Sequence, residues 1–238
     1  MSNTKNSTNT FNRREFLKAS GLSAGGLIIG VSLPVSLLAS SEASTFNPSA
    51  FIYIDPNGDT TLYCGRCEMG QGISTALPAA VADELEADWS RVKVLQGDAD
   101  AKYGPQDTGG SKSIKVMLEP MRKAGAAGKE MLVAAAALNW NLPARDCYAK
   151  SHVVYNRVDD RNFQFGELVA DASKLPVPEE PVLKTRDQFR YIGKSLQRHD
   201  QDEMIVGKRI YGADAKIPGI KYAAIRHVPV LGGSIKSL

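Results

Sequence analysis

Gly65-Arg66-Cys67-Glu68-Met69-Gly70-Gln71-Gly72 is the stretch on which the reading of the chain turns. It joins two kinds of pattern. Upstream, Phe51-Ile-Tyr-Ile and Thr61-Leu-Tyr-Cys flank Asp55-Pro-Asn-Gly-Asp. Two short β-branched and aromatic runs around a turn sequence predict a β-hairpin. Downstream, Leu77, Val81 and Leu85 recur at helical spacing, with Ser74 or Thr75 placed to cap the helix. Three glycines in eight residues let the backbone approach a ligand closely. The loop N–H groups, with the helix N-terminus behind them, suit a phosphate or another polar group. The Gln71 amide donates and accepts hydrogen bonds but has no acid–base chemistry, so it reads as a residue that holds a cofactor rather than one that moves a proton.

A second loop supports this reading. Tyr103-Gly-Pro-Gln-Asp-Thr-Gly-Gly-Ser-Lys-Ser follows a short predicted strand, Val92 to Leu95, and precedes a helical run from Lys115 to Trp140. The repeated strand–loop–helix order predicts two Gly/Ser-rich loops at one end of a layered α/β domain, where ligands bind. Ala124 to Gly128 and Ala134 to Ala137 keep the long helix small-sided, which permits close helix packing. Trp140-Asn-Leu-Pro ends it. Beyond it, Cys147 to Tyr155 reads as a strand pair and Phe165 to Ala172 as a short helix, with Leu175-Pro-Val-Pro-Glu-Glu-Pro an extended connector. The fold class expected is α+β.

The N-terminus has a different character. Arg13-Arg14-Glu15-Phe16-Leu17-Lys18 follows a polar tail and precedes an uncharged run from Ala19 to Ser41, the pattern of a twin-arginine signal. Ser41-Glu42-Ala43 offers a cleavage site after Ala43, and the route leads to the periplasm. The run is long enough to span a membrane, but Pro34 and its many glycines and serines argue against an anchor helix. Lys5, Arg13, Arg14 and Lys18 against Glu15 and Glu42 give +2 of the total +3. The rest is nearly neutral, which disfavours nucleic acid as a partner.

Cys64-Gly-Arg-Cys67 matches a C-x-x-C, and its sharp reading is a thiol–disulfide redox pair. That chemistry wants the first thiol at a helix N-terminus, whereas the predicted helix starts past two more glycines. A structural disulfide in an oxidising compartment is the alternative. Only Cys147 remains, and His152, His199 and His227 are scattered, so no zinc site is expected. Glu68 reads as a carboxylate that braces the loop by accepting backbone or Arg66 hydrogen bonds.

Glu68-Met-Gly-Gln-Gly, Asp107-Thr-Gly-Gly-Ser-Lys-Ser and Arg122-Lys-Ala-Gly-Ala-Ala-Gly-Lys-Glu-Met-Leu, in this order, resemble the molybdenum-binding large subunit of the xanthine oxidase family. The resemblance is in particular to the isoquinoline 1-oxidoreductase β-subunit type, and it runs from about Phe46 onward. It implies a molybdenum–molybdopterin cytosine dinucleotide. Met69, Gly70, Gln71 and Gly72 would contact the pterin and metal region, with Gln71 bonding a ligand near the metal. Gly110, Ser111 and Ser113 would bond the pterin or its phosphate. The implied reaction hydroxylates N-heterocycles or aldehydes with oxygen from water. The family's catalytic glutamate lies beyond this chain, so no catalytic residue and no protein metal ligand is expected here. The implied partners are a small [2Fe-2S] subunit, a cytochrome as electron acceptor and the twin-arginine translocase.

The organisation expected is a signal over residues 1–43, part of a molybdopterin-binding domain over 44–190, and the start of a hammerhead-like α/β domain over 191–238. Ile225, Val228, Val230, Leu231 and Ile235 read as strands in need of sheet partners, and the chain alone is expected to be inactive. The rival readings are a non-catalytic periplasmic binding or assembly module and a thiol–disulfide oxidoreductase using Cys64 and Cys67.

Overall fold

The apolar alternation that predicts the hairpin also builds the first sheet. In the computed structural model, which describes residues 27–30 and 50–234, β2 (Ala50–Ile54) and β3 (Thr60–Cys64) pair antiparallel around the predicted turn. The Asp55 carboxylate closes that turn by accepting from the N–H groups of Asn57 and Asp59. Phe51, Ile52, Ile54, Leu62 and Cys64 are all buried. β1 (Leu27–Gly30) adds antiparallel to β2, so part of the run read as a leader lies in the sheet. The twin arginines and the cleavage site lie outside the described residues. Among the described residues, no helix is long and apolar enough to cross a membrane.

From β3 the chain passes through α1 (Ile73–Leu85) to β4 (Val92–Gln96), which pairs parallel with β3. Sheet order is β1-β2-β3-β4. α2 (Ser113–Trp140) then crosses α1, burying Met117, Met121, Ala124, Met131, Leu132, Ala135 and Ala136. Gly125 sets the closeness of that crossing: a Cβ there would lie 2.4 Å from the Val81 carbonyl oxygen and 2.9 Å from Glu84 Cβ. The small face of the long helix therefore does what its composition predicts. α2 ends at Asn141, whose φ of 54° is a left-handed cap.

A second antiparallel sheet follows, β5 (Cys147–Lys150), β6 (Val153–Asn156) and β7 (Asn162–Gln164), and then α3 (Phe165–Ala172). The strand pair and short helix agree with the sequence, while β7 was not foreseen. His152, at the β5–β6 turn, ties this sheet to the first. Its Nδ1 accepts from Asp88 N–H at 2.7 Å, so the ring proton lies on Nε2, which is 2.9 Å from Thr60 Oγ1.

Residues 184–192 form a strap along α1, unforeseen in the sequence. Buried Asp83 accepts from the N–H groups of Arg190, Tyr191 and Ile192 and from Lys184 Nζ at 3.0 Å. Buried Glu84 accepts from Lys184 N–H and from the Arg122 guanidinium. Burial works to raise the Asp83 pKa, but the three N–H groups and the ammonium outweigh it and hold the carboxyl below its ordinary range.

The chain divides into two compact units at His199/Asp200, so residues 191–199 fall with the first. The second unit holds the short helix α4 (Gln201–Ile205), with Arg209 paired to Asp200 at 3.7 Å. The strands expected around Ile225 to Leu231 do not form: these residues are exposed and unpaired with any strand, because the apolar run meets no sheet edge among the described residues. Ile235 lies outside them.

Burial lowers the His152 pKa from 6.5 to about 4. The unfolded chain binds this proton first, so the stability from the neutral ring is present above pH 6.5 and lost as pH falls towards 4. Denaturant unfolding should report a falling midpoint across that window, and NMR titration of the ring should give a pKa near 4. A ring titrating near 6.5 would contradict the buried tie.

Candidate functional site

Parallel pairing fixes where the two loops sit. β3 and β4 run side by side in the same direction, so the loops leaving them, Gly65–Gly72 and Gly104–Lys112, emerge from one end of the sheet. Arg66 donates through Nη1 to the Asp107 carbonyl oxygen and lies 3.3 Å from Asp107 Oδ1. Thr108 Oγ1 donates to the Cys67 carbonyl at 3.0 Å. The expected juxtaposition of two Gly/Ser-rich loops is thus present and bonded directly.

The first loop is organised by Glu68. Its Oε1 accepts from Gly70 N–H at 2.8 Å and Gly72 N–H at 2.9 Å, and its Oε2 from Ser74 N–H and Oγ at 2.9 and 2.8 Å. Left-handed Gly70 (φ 101°) and Gly72 (φ 83°) allow the chain to curl around one carboxylate. This corrects two expectations. The N-cap of α1 is Gly72, with Glu68 taking the role expected of Ser74 or Thr75. The N–H groups expected to suit a phosphate already hold an internal anion. Burial works to raise the Glu68 pKa, but the bonds from Ser74, Gly72 and Gly70 hold it below the ordinary range, so it remains a carboxylate. Arg66 turns to Asp107; the cation near Glu68 is Arg198, at 3.6 Å, which also donates to the Gly70 carbonyl. Arg198 lies 128 positions from Gly70, beyond the reach of any local pattern.

The predicted site residues fall in two groups. Met69, Gly70 and Gln71 are exposed at the tip of the first loop, with Gly72 half-buried behind them. The Gln71 amide folds back on this loop: Oε1 accepts from Met69 N–H at 2.6 Å and Nε2 donates to the Cys67 carbonyl at 3.2 Å. One N–H and one lone pair of the amide are left over. In the second loop Gly110 and Ser111 are exposed and both left-handed (φ 59° and 53°), whereas Ser113 is buried as the first residue of α2. Lys112 Nζ pairs with Asp107 Oδ2 at 2.8 Å. At Gly70, Gly72, Gly109 and Gly110 nothing lies within 4 Å of where a Cβ would project, so both loops present open backbone.

Two features limit other chemistry. Cys64 is buried, and burial pushes its thiol up to about 11, the opposite of what a redox nucleophile requires; Cys67 is exposed, and both are free thiols. Beside the first loop, a cavity of about 350 Å3 is lined by Gly72, Thr75, Ala79, Ile114, Ile192 and Arg198, among others. A concavity of about 400 Å3 at the β6–β7 turn shares no residue with either loop, so the smaller cavity is the one relevant to the site.

The family model of the molybdopterin cofactor-binding domain matches residues 2–215. The chain is 30% identical over 267 residues to the isoquinoline 1-oxidoreductase subunit beta of Brevundimonas diminuta, covering 92% of this chain and 34% of that protein. It is 36% identical over 195 residues to the membrane-bound aldehyde dehydrogenase [pyrroloquinoline-quinone] of Gluconacetobacter polyoxogenes, covering 79% and 25%. Quinoline 2-oxidoreductase from Pseudomonas putida 86 aligns in structure with a TM-score of 0.45 and 22% identity, over 67% of this chain and 22% of that one. The chain spans about a third or less of the length of these relatives.

Glu68→Gln keeps the shape of the side chain but removes the charge and one acceptor. It should cost about 1–3 kcal/mol, the range for leaving a buried donor unpaired. Thermal unfolding of the variant reads this directly, and an unchanged melting temperature would mean that the carboxylate does not organise the loop.

Proposed function

The chain belongs to the molybdopterin cofactor-binding domain family, and from that premise we propose that it supplies two cofactor-holding loops to the large subunit of a molybdenum hydroxylase. The observation that carries the reading is the pair of bonded loops at one sheet end, each with open backbone at its glycines. The donor set suits a pterin: it offers neutral amide and hydroxyl groups and free backbone, with the Glu68 carboxylate already occupied by hydrogen bonds from its own loop and helix. The leftover N–H and lone pair of Gln71 suit a polar ligand beside the metal, and Met69, Gly70 and Gly72 line the approach. Exposed Gly110 and Ser111 suit the pterin or its phosphate, with Ser113 behind them at the start of α2. The nucleotide form we propose is cytosine.

When bound, the molybdenum group supplies the two-electron oxidation of an N-heterocycle or aldehyde, with oxygen taken from water. This chain's share is binding and orientation. Gln71 accepts and donates without titrating, so it holds its ligand through a reaction that moves protons elsewhere. A small [2Fe-2S] subunit and a cytochrome are the proposed electron partners. The segment from residue 191 onward is proposed to open the hammerhead-like domain, its compact part beginning at Asp200.

We further propose export to the periplasm through the twin-arginine translocase, with cleavage after Ala43. Cleavage there removes β1 and leaves β2 as an edge strand. Arg13→Lys with Arg14→Lys keeps the charge but removes both guanidinium groups, which ammonium does not replace in recognition. Cell fractionation should find this precursor in the cytoplasm; equal periplasmic yield would refute the export reading.

The functional reading is tested by the native protein itself. Metal analysis and nucleotide release from the purified intact subunit should give molybdenum and cytosine nucleotide in equal amounts. Gln71→Ala should lower metal content or turnover while leaving the melting temperature nearly unchanged, since its bonds lie within an exposed loop. Unchanged metal content and unchanged turnover together would refute the role given to Gln71.

A further inference from the structure

Arg66 is a fully buried side chain, 1% exposed, although an exposed cysteine follows it in the chain. Its Nε is buried with no hydrogen-bond partner among the described residues. Burying a guanidinium with a donor idle is unfavourable, and an apolar side chain of similar volume usually fills such a space at no loss of stability. Packing alone therefore does not account for an arginine here. What an apolar side chain would lack is the bridge. Nη1 leaves the end of β3, donates to the Asp107 carbonyl and reaches Asp107 Oδ1. Asp107 in turn pairs with Lys112, the residue that follows the left-handed pair Gly110-Ser111. A continuous chain of charge-assisted contacts thus runs from the core, through Arg66 and Asp107, to the turn that carries Gly110 and Ser111.

We infer that Arg66 is a positioning residue that locks the Gly104–Lys112 loop to the Gly65–Gly72 loop, and that this lock sets how firmly the molybdopterin group is retained. The second half of this inference rests on the function proposed above; the first half does not. The bridge requires a donor, so it distinguishes Arg66→Lys, which keeps a cation and a donor, from Arg66→Met, which keeps only volume.

The test uses the intact subunit with its partners. Hydrogen exchange followed by mass spectrometry should show Arg66→Met raising exchange across residues 104–112 by about tenfold, the loss of one charge-assisted hydrogen bond. Arg66→Lys should raise it less, while the melting temperatures of the two stay close. Molybdenum retained after gel filtration should follow the same rank, wild type above Lys above Met. A space-filling role gives the opposite rank, with Met equal to or better than Lys, and that result would overturn the inference. Asp107→Ala alters the exposed end of the bridge and keeps the core intact. It should loosen residues 110–112 with Arg66 in place, and unchanged exchange in both Asp107→Ala and Arg66→Lys would also overturn it. Absence of molybdenum from the wild-type protein would overturn the functional reading instead, and is distinguished because the exchange contrast is then read on cofactor-free protein, where only the bridge separates the variants.

Discussion

A single buried carboxylate governs how the second half of the first unit lies on the first half. Asp83 sits near the C-terminal end of α1 and gathers three successive N–H groups and an ammonium from the strap. An ionised carboxylate without such partners would be costly in this interior. With them, the cost of desolvation is offset, and the strap has one register: a shift by one residue would leave Asp83 with fewer donors and Glu84 without Lys184 N–H. From that register follows the position of Tyr191, whose hydroxyl donates to the Ala87 carbonyl. Arg198 follows further along, delivered to the Gly70 carbonyl.

α1 is thus held at both ends by acidic side chains used in opposite ways. At its N-terminus Glu68 belongs to the preceding loop and turns inward to accept the helix's own unpaired N–H groups, as an N-terminal anion should. Near its C-terminus Asp83 and Glu84 belong to the helix and turn outward to accept from the strap. The first arrangement uses up the anion-binding capacity of the helix end. A cofactor phosphate therefore has no claim on those groups, and the first loop is left to offer an amide and open backbone.

Two buried titratable groups are held in their neutral forms. His152 is held neutral between Thr60 and Asp88, and Cys64 is held protonated beneath the first loop. Both lie on β3 or against it, the strand from which the first loop departs. The C-x-x-C spacing suggests redox chemistry on its own, but the first thiol, which would have to attack, is the buried one and its pKa is pushed up by burial.

Local pattern encodes most of the elements and their order, with β1, β7 and the strap outside it. The hairpin, the two strand–loop–helix units, the close helix crossing at Gly125 and the Glu68 brace all depend on contacts between near neighbours or on side-chain volume, which local pattern encodes. The motifs in the two loops likewise carried the family. Which groups satisfy one another across distance is settled only once the chain has folded. The preference of Arg66 for Asp107 over Glu68, the arrival of Arg198 at Gly70 and the capture of the strap by Asp83 join residues far apart in the chain. No period or spacing records such pairings, because they are selected by the need of each buried charge for a partner once the core has closed. The missing strands near Ile225 make the same point from the other side: an apolar run becomes a strand only where a sheet edge is there to receive its N–H and C=O groups.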